Sequence, residues 1–127
     1  MTKKTVGVLL FCVCLPLFFL SGTRTEAESD DTDGKVTFIE LGSVNCIPCR
    51  MMQPVMEQVE ENFPNDVAVI FYDVWRKEEK KYAKEYNIRV IPTQIFLDKN
   101  GEEYFRHEGF FPYEEVVKIL QQKGVDD

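Results

Sequence analysis

Residues 36–49 read Val36-Thr37-Phe38-Ile39-Glu40-Leu41-Gly42-Ser43-Val44-Asn45-Cys46-Ile47-Pro48-Cys49: an apolar run holding one acid, a small-residue stop, and a close pair of cysteines. Val36–Leu41 is rich in branched and aromatic side chains and is followed by Gly42-Ser43, which predicts a strand. Its near-continuous apolarity predicts a central position in a sheet covered on both faces. Beyond the cysteines, Met52, Val55, Met56, Val59 and Phe63 recur at spacings of three and four. That period predicts an amphipathic helix from about Pro48 to Asn62, kinked at Pro54, whose ring removes a backbone donor.

Toward the C-terminus, Phe63-Pro64-Asn65-Asp66 is a turn by composition, and Val67–Tyr72 reads as a second buried strand. Lys77–Tyr86 is charged except for Tyr82, Ala83 and Tyr86 on one side, which predicts a short surface helix. Thr93–Leu97 and Glu102–His107 are strand-like, and Asp98-Lys99-Asn100-Gly101 between them ends in the Asn-Gly of a tight hairpin. A last helix from Tyr113 to Gln122 places Val116, Val117 and Leu120 on one face, with Gly124 to end it. A parallel β-α-β unit followed by a β-hairpin and a helix is an α/β sandwich with a mixed four-stranded sheet.

Toward the N-terminus of the 127-residue chain, Lys3 and Lys4 precede an apolar run, Val6–Leu20, closed by Ser21-Gly22. This is the layout of a secretory signal. The run is shorter than the ~18 residues a membrane span wants, and it contains Gly7 and Pro16. The expected organisation is a signal peptide over 1–27, an acidic flexible leader over 28–34, and one domain over 35–127. Left uncut, the run would anchor the domain to a membrane. Residues 28–127 keep 12 of the 15 basic and 21 of the 22 acidic residues, a formal charge of −9. Such a surface argues against nucleic acid, whose phosphates need clustered Lys and Arg. Cys12 and Cys14 fall inside the signal, so Cys46 and Cys49 are the cysteines expected to survive export.

A thiolate, not a thiol, attacks a disulfide, so a reactive cysteine needs surroundings that favour negative charge. Cys46 stands just ahead of the expected helix, where unpaired N–H groups and the helix dipole supply that field, and Pro48 is tolerated in the first turn. A bond across a two-residue gap removes little chain entropy, which weighs against a merely structural disulfide. Arg50, where haem attachment wants His, removes that reading. Zinc normally takes four ligands, and the exported part offers two cysteines and His107 besides carboxylates. A copper-carrying thiolate pair stays open.

The order strand, Cys-x-x-Cys, kinked helix, strand, helix and then Ile91-Pro92-Thr93 opening a hairpin resembles the thioredoxin family over residues 35–123, with Gly109 in the hairpin's wake. The resemblance implies a thioredoxin-like sandwich with Cys46 as nucleophile, Cys49 as resolving thiol, Pro92 as a cis proline facing the disulfide, and Pro54 as the proline that bends the active-site helix. Glu40, six residues before Cys46, resembles the family's buried acid, the proton acceptor for Cys49. An acid in an apolar strand is costly unless it has a partner or a task, and burial should raise its pKa toward neutrality. The alternative is a Glu40 that points to solvent at a strand edge. Two departures from the family pattern bear on partner choice: Asn45 stands where Trp is common, and Ile47 where Gly is common.

A substrate groove is expected along Asn45, Ile47, Pro48, Val90, Ile91, Gly109 and Phe110, with Trp75 at its edge or, equally, packed inside. His107 is read as a surface strand residue. Together with the signal-like N-terminus, the resemblance implies a periplasmic or otherwise extracytoplasmic, monomeric reductase of protein disulfides, with no cofactor or metal beyond its own redox-active disulfide. Its electrons would come from a membrane thiol carrier and pass to cytochrome c maturation or disulfide repair; Ile91 before the proline leans toward reducing members. Two other readings remain: a disulfide-forming oxidant or isomerase, and a copper-binding or adaptor module without turnover. Disulfide-forming oxidants commonly insert a helical domain, for which the segment before Ile91-Pro92 is too short.

Overall fold

Seven consecutive residues, Val36–Gly42, form β1, and all seven are buried. A strand covered on both faces needs a partner strand on each side and helices above and below. Both are present in the computed structural model, which describes residues 34–126. The expected signal peptide, and the acidic leader apart from Gly34, lie outside the described residues. The sheet order is β2-β1-β3-β4. β1 runs parallel to β2 (Val67–Asp73) and antiparallel to β3 (Thr93–Leu97), which pairs antiparallel with β4 (Glu103–Glu108). This is the expected thioredoxin-like α/β sandwich with its mixed four-stranded sheet.

Several local expectations are corrected. Gly42 does not stop the first strand; it is the strand's last residue and pairs with Asp73. β2, expected to be buried, is an edge strand whose five middle residues are half-buried, because β3 occupies the other side of β1 and, among the described residues, no strand lies beyond β2. The single kinked helix is two helices, α1 (Ile47–Arg50) and α2 (Gln53–Asn62). Between them, the Met52 N–H reaches back three residues to the Cys49 carbonyl at 3.0 Å. Pro54 sits in the first turn of α2, where its missing N–H costs no bond, so it restarts the helix after the break.

The surface helix is also shorter than expected: α3 spans Lys81–Glu85. Residues 76–80 are held instead in tight turns, with the Arg76 N–H on the Asp73 carbonyl at 2.9 Å and the Asp73 N–H donated to the Glu79 carboxylate at 2.6 Å. That stretch has no apolar face to bury until Tyr82 and Ala83. The hairpin is as read: Asp98 Oδ1 accepts the N–H groups of Asn100 and Glu102, and Gly101 takes a positive φ of 80°. The last helix, α4 (Tyr113–Gln121), buries Val116, Ile119 and Leu120, while the expected Val117 is only half-buried.

One core lies between the sheet and helices α2 and α4, built around Phe38, Phe96, Met56, Val59, Val116 and Leu120. The other lies under α3, where Ile39, Leu41, Ile95 and Val74 meet Tyr82, Ala83 and Tyr86. Burying a side chain of this size contributes about 1.5–3 kcal/mol, so the first core holds most of the fold. Its consequence for function is a rigid β1 that ends at the cysteine loop.

Candidate functional site

Four residues link β1 to α1, and they are tied down at several points. The Cys46 N–H donates to the Ser43 carbonyl at 3.1 Å, and the Asn45 N–H to the Ser43 hydroxyl at 3.2 Å. Asp73, buried at the end of β2, accepts the Val44 N–H on one carboxylate oxygen at 3.4 Å and the Trp75 N–H on the other at 3.2 Å. One carboxylate therefore clamps the loops leaving both parallel strands. Sequence reasoning missed Asp73, although an acid closing an apolar strand is a readable signal.

Cys46 is the N-cap of α1, with an extended backbone, and its carbonyl accepts the Arg50 N–H at 3.0 Å. Cys46 and Cys49 form a disulfide with their Cα atoms 5.2 Å apart. Their exposures differ: Cys46 retains 9% of its surface and Cys49 only 1%. α1 is a single turn, so the field at Cys46 comes from the free N–H groups of that turn more than from a long helix dipole.

Behind Cys49 lies a buried polar pair. Glu40 is fully buried, which removes the solvent-facing alternative, and it stands opposite Gln94 in the β1–β3 ladder. The Gln94 Nε2 donates to Glu40 Oε2 at 2.9 Å. Desolvation pushes the Glu40 pKa up to about 8, and the Gln94 bond opposes that rise. The remaining oxygens, Oε1 of Glu40 and Oε1 of Gln94, have no hydrogen-bond partner among the described residues. Gly42 explains how acid and sulfur approach. A β-carbon placed on Gly42 would stand 3.2 Å from Cys49 Sγ and 3.4 Å from Glu40 Oε1. The two groups thus flank one point that only a glycine leaves open. Gly42 and Gln94 were not singled out from sequence; the signal for Gln94 is a second polar residue in an otherwise apolar strand.

The Ile91–Pro92 peptide is cis, and Pro92 is buried at the start of β3, the end of the sheet where β1 delivers the cysteine loop. The Gly109 N–H donates to the Pro92 carbonyl at 2.8 Å, and the Thr93 hydroxyl to the Val90 carbonyl at 2.7 Å. Of the expected groove residues, Trp75, Val90 and Ile91 come together with Val74, Ala83 and Ile88 in an apolar groove of about 430 Å³, edged by Lys80, Lys84 and Arg89. Trp75 is 61% exposed and is not a packing residue. Gly109 and Phe110 do not line that groove, nor do Asn45, Ile47 and Pro48, which lie exposed beside the cysteines. A second concavity, of about 310 Å³, contains none of the site residues and sits by the Leu97–Gly101 turn.

Among the described residues, the large apolar side chains left exposed are Val44, Ile47, Met51, Trp75, Val90 and Phe110. All belong to the cysteine segment or to loops that meet the same end of the sheet. Val44 and Met51 were not expected among them. His107 lies on β4 as read, its ring stacked on Phe111 at 4.2 Å. Among the described residues no group of three His, Cys, Asp or Glu side chains could hold a metal ion, and no helix is long and apolar enough to cross a membrane.

Comparison with known proteins agrees with this geometry. Residues 25–124 match the family of thioredoxin-like domains. A thioredoxin of Malassezia sympodialis is 38% identical over 71% of this chain and 84% of its own length, and one of Staphylococcus aureus is 27% identical over 77% and 92%. Among solved structures, a mutant thioredoxin from Halobacterium salinarum superposes with a TM-score of 0.65 at 25% identity, covering 76% of this chain and 80% of that one. An exposed lipoprotein thioredoxin from Streptococcus pneumoniae, at 20% identity and a TM-score of 0.61 over 72% and 87%, shares the fold. A match across most of the chain and a relative more than a third identical carry the same conclusion as the disulfide: this chain belongs to the thioredoxin-like family and is a thiol–disulfide oxidoreductase.

Proposed function

We propose that this protein reduces disulfides of other proteins outside the cytoplasm, cycling Cys46 and Cys49 between dithiol and disulfide. The observation that carries the reading is the exposed apolar surface beside a disulfide whose first sulfur is the less covered one. Large apolar side chains left exposed around a reactive disulfide, with an apolar groove at Trp75, Val90 and Ile91, support a contact for another macromolecule.

In the reduced form the Cys46 thiolate attacks a substrate disulfide, forms a mixed disulfide and releases one substrate thiolate. The Cys49 thiol then passes its proton to Glu40, directly or through one water at Gly42. The new thiolate attacks the Cys46 sulfur, closes the Cys46–Cys49 bond and releases the second substrate thiol. Pro92 has no N–H to offer the sulfurs and fixes the chain beside them, while Asn45, Ile47, Pro48, Val90, Ile91, Gly109, Phe110 and Trp75 hold the substrate segment. A carboxyl with a pKa near 8 is matched to this transfer, because it is protonated and deprotonated over the same range as a thiol.

The extracytoplasmic location is supported by Lys3, Lys4 and the apolar run Val6–Leu20. An enzyme working there takes electrons from a membrane thiol carrier and passes them to proteins of cytochrome c maturation or disulfide repair. The test is the equilibrium potential of the Cys46–Cys49 couple with an insulin-reduction assay. A potential near −270 mV, about the thioredoxin value, is expected; one near −120 mV, about that of a strong oxidant, would sink the reductase reading. Location is tested by fusing residues 1–34 to a reporter enzyme that needs a disulfide for activity. An active fusion is expected, and an inactive one overturns the location.

A further inference from the structure

The geometry points to Gln94 as a positioning residue for the proton transfer: its amide holds Glu40 so that the free carboxyl oxygen faces Cys49, and it keeps that acid able to change charge. The inference rests on Glu40 being the proton acceptor, and it adds the residue that makes Glu40 fit for that task.

Gln94 and Glu40 are both fully buried and stand opposite each other in register. The amide Nε2 engages Oε2 at 2.9 Å, which leaves Oε1 as the oxygen 3.4 Å from where a Gly42 β-carbon would stand, a point that Cys49 Sγ approaches to 3.2 Å. A carboxyl with one oxygen pinned cannot rotate freely, so the other keeps its aim. For folding alone the amide is a poor choice, since its own Oε1 is buried without a partner among the described residues. An unmade bond of that kind costs about 1–3 kcal/mol, and an apolar side chain at 94 would avoid it.

A neutral amide suits an acid that must titrate. An ammonium group in its place would hold the carboxylate ionised, and an apolar group would leave both oxygens bare and the acid protonated. The amide N–H donates to a carboxylate oxygen and to the carbonyl oxygen of the acid alike, so the contact survives the transfer. The balance is closed: the Cys49 S–H bond breaks as the Glu40 O–H bond forms. The proton returns to Cys49 when an incoming thiol reopens the disulfide and Cys49 leaves as thiolate.

The other titratable groups on this side of the sheet are few. Cys49 comes from α1, and Asp73 from β2 is engaged by the Val44 and Trp75 N–H groups. His107 from β4 stands opposite Gln94 and is stacked on Phe111. Tyr104 and Tyr113 are engaged by the Ile119 carbonyl and by Asn62. The core residues that α2 contributes are Val55, Met56 and Val59, and those of α4 are Val116, Ile119 and Leu120.

The experiment follows, against pH, the single-turnover release of substrate thiol from a Cys46 mixed disulfide in the mature protein and its variants. The wild-type rate is expected to climb with pH and level off above the Glu40 midpoint, and Glu40→Gln to lose that climb. Gln94→Met, close in size but without a donor, is expected to move the midpoint up by about one unit. That makes it about tenfold slower at pH 7 and equal to wild type at high pH. If Glu40→Gln loses the climb and Gln94→Met leaves the midpoint in place, the role of Gln94 is refuted and Glu40 stands. If Glu40→Gln keeps the climb, the proton-acceptor reading falls and this inference with it. Should Gln94→Met not fold, wild-type NMR decides: the Gln94 side-chain amide must shift with the Glu40 carboxyl midpoint, and an amide that ignores it overturns the proposal.

Discussion

Two neighbouring cross-strand pairs on one face of the sheet do opposite things. Phe38 faces Phe96 across β1 and β3, with rings stacked 4.9 Å apart at an interplanar angle of 3°. Two residues along, Glu40 faces Gln94 through one hydrogen bond, with two oxygens left over. All four side chains are fully buried. The ring pair brings area and contact and asks for nothing further. The acid–amide pair takes polar atoms out of water for one bond, which stabilises little and leaves an acid whose charge is disfavoured by burial. Stability is concentrated at the hairpin side of this ladder and reactivity at the cysteine side, on a continuous strand.

The contrast can be broken by substitution. Cys46→Ser should lower insulin reduction by at least about three orders of magnitude, since it removes the attacking sulfur. Retained activity would overturn the assignment of the reactive end. Glu40 should make stability depend on pH in a definite sense. The folded chain keeps the Glu40 proton up to about pH 8, whereas the unfolded chain releases it near 4.5, so the folded state binds more protons between those values. Stability should therefore fall as pH rises through that window, by on the order of 5 kcal/mol in all, and urea unfolding of Glu40→Gln should show the slope gone.

Phe38→Ala should cost about 3–5 kcal/mol in unfolding free energy while each folded molecule keeps its rate; a specific loss of turnover would erase the division between the ends. Gly42→Ala sharpens the boundary between them. The added carbon meets Cys49 Cβ at 3.1 Å, so about 1–3 kcal/mol of strain is expected, together with slower resolution by Cys49 in single-turnover assays. The smallest effect is at the rim. Trp75→Ala should change stability by less than about 0.5 kcal/mol and act on KM for protein substrates; an unchanged KM removes Trp75 from the groove.

Much of the fold was legible because hydrophobic period and turn chemistry are local. Val36–Leu41, the spacing of Met52, Val55, Met56 and Val59, and the Asn100-Gly101 turn each announce their element without help from distant residues. What misread was relational. β2 is half-buried because of which strand took the far side of β1, and the helix after the cysteines breaks at Met51-Met52 ahead of Pro54, where bonding resumes. At the site, Cys46, Cys49 and Glu40 stand out in sequence as a close thiol pair and an acid in an apolar strand, whereas Pro92 was singled out only by the resemblance that Ile91-Pro92-Thr93 carries. Gln94, Asp73 and Gly42 were not legible, since their roles at the site depend on neighbours 29 and 54 positions away or on a contact across a bend.

The sequence by itself determined a mixed α/β sandwich, a reactive cysteine pair at a helix start and an acid set six residues before it, because periodicity, capping and the cost of a buried charge act over a few residues. Only the tertiary structure decided that Cys49 is the more deeply covered sulfur, that Glu40 has an amide for its partner, and that Gly42 leaves the gap where acid and sulfur meet. Register between strands and the approach of a helix to a sheet are set by packing of the whole core, and no single segment encodes them.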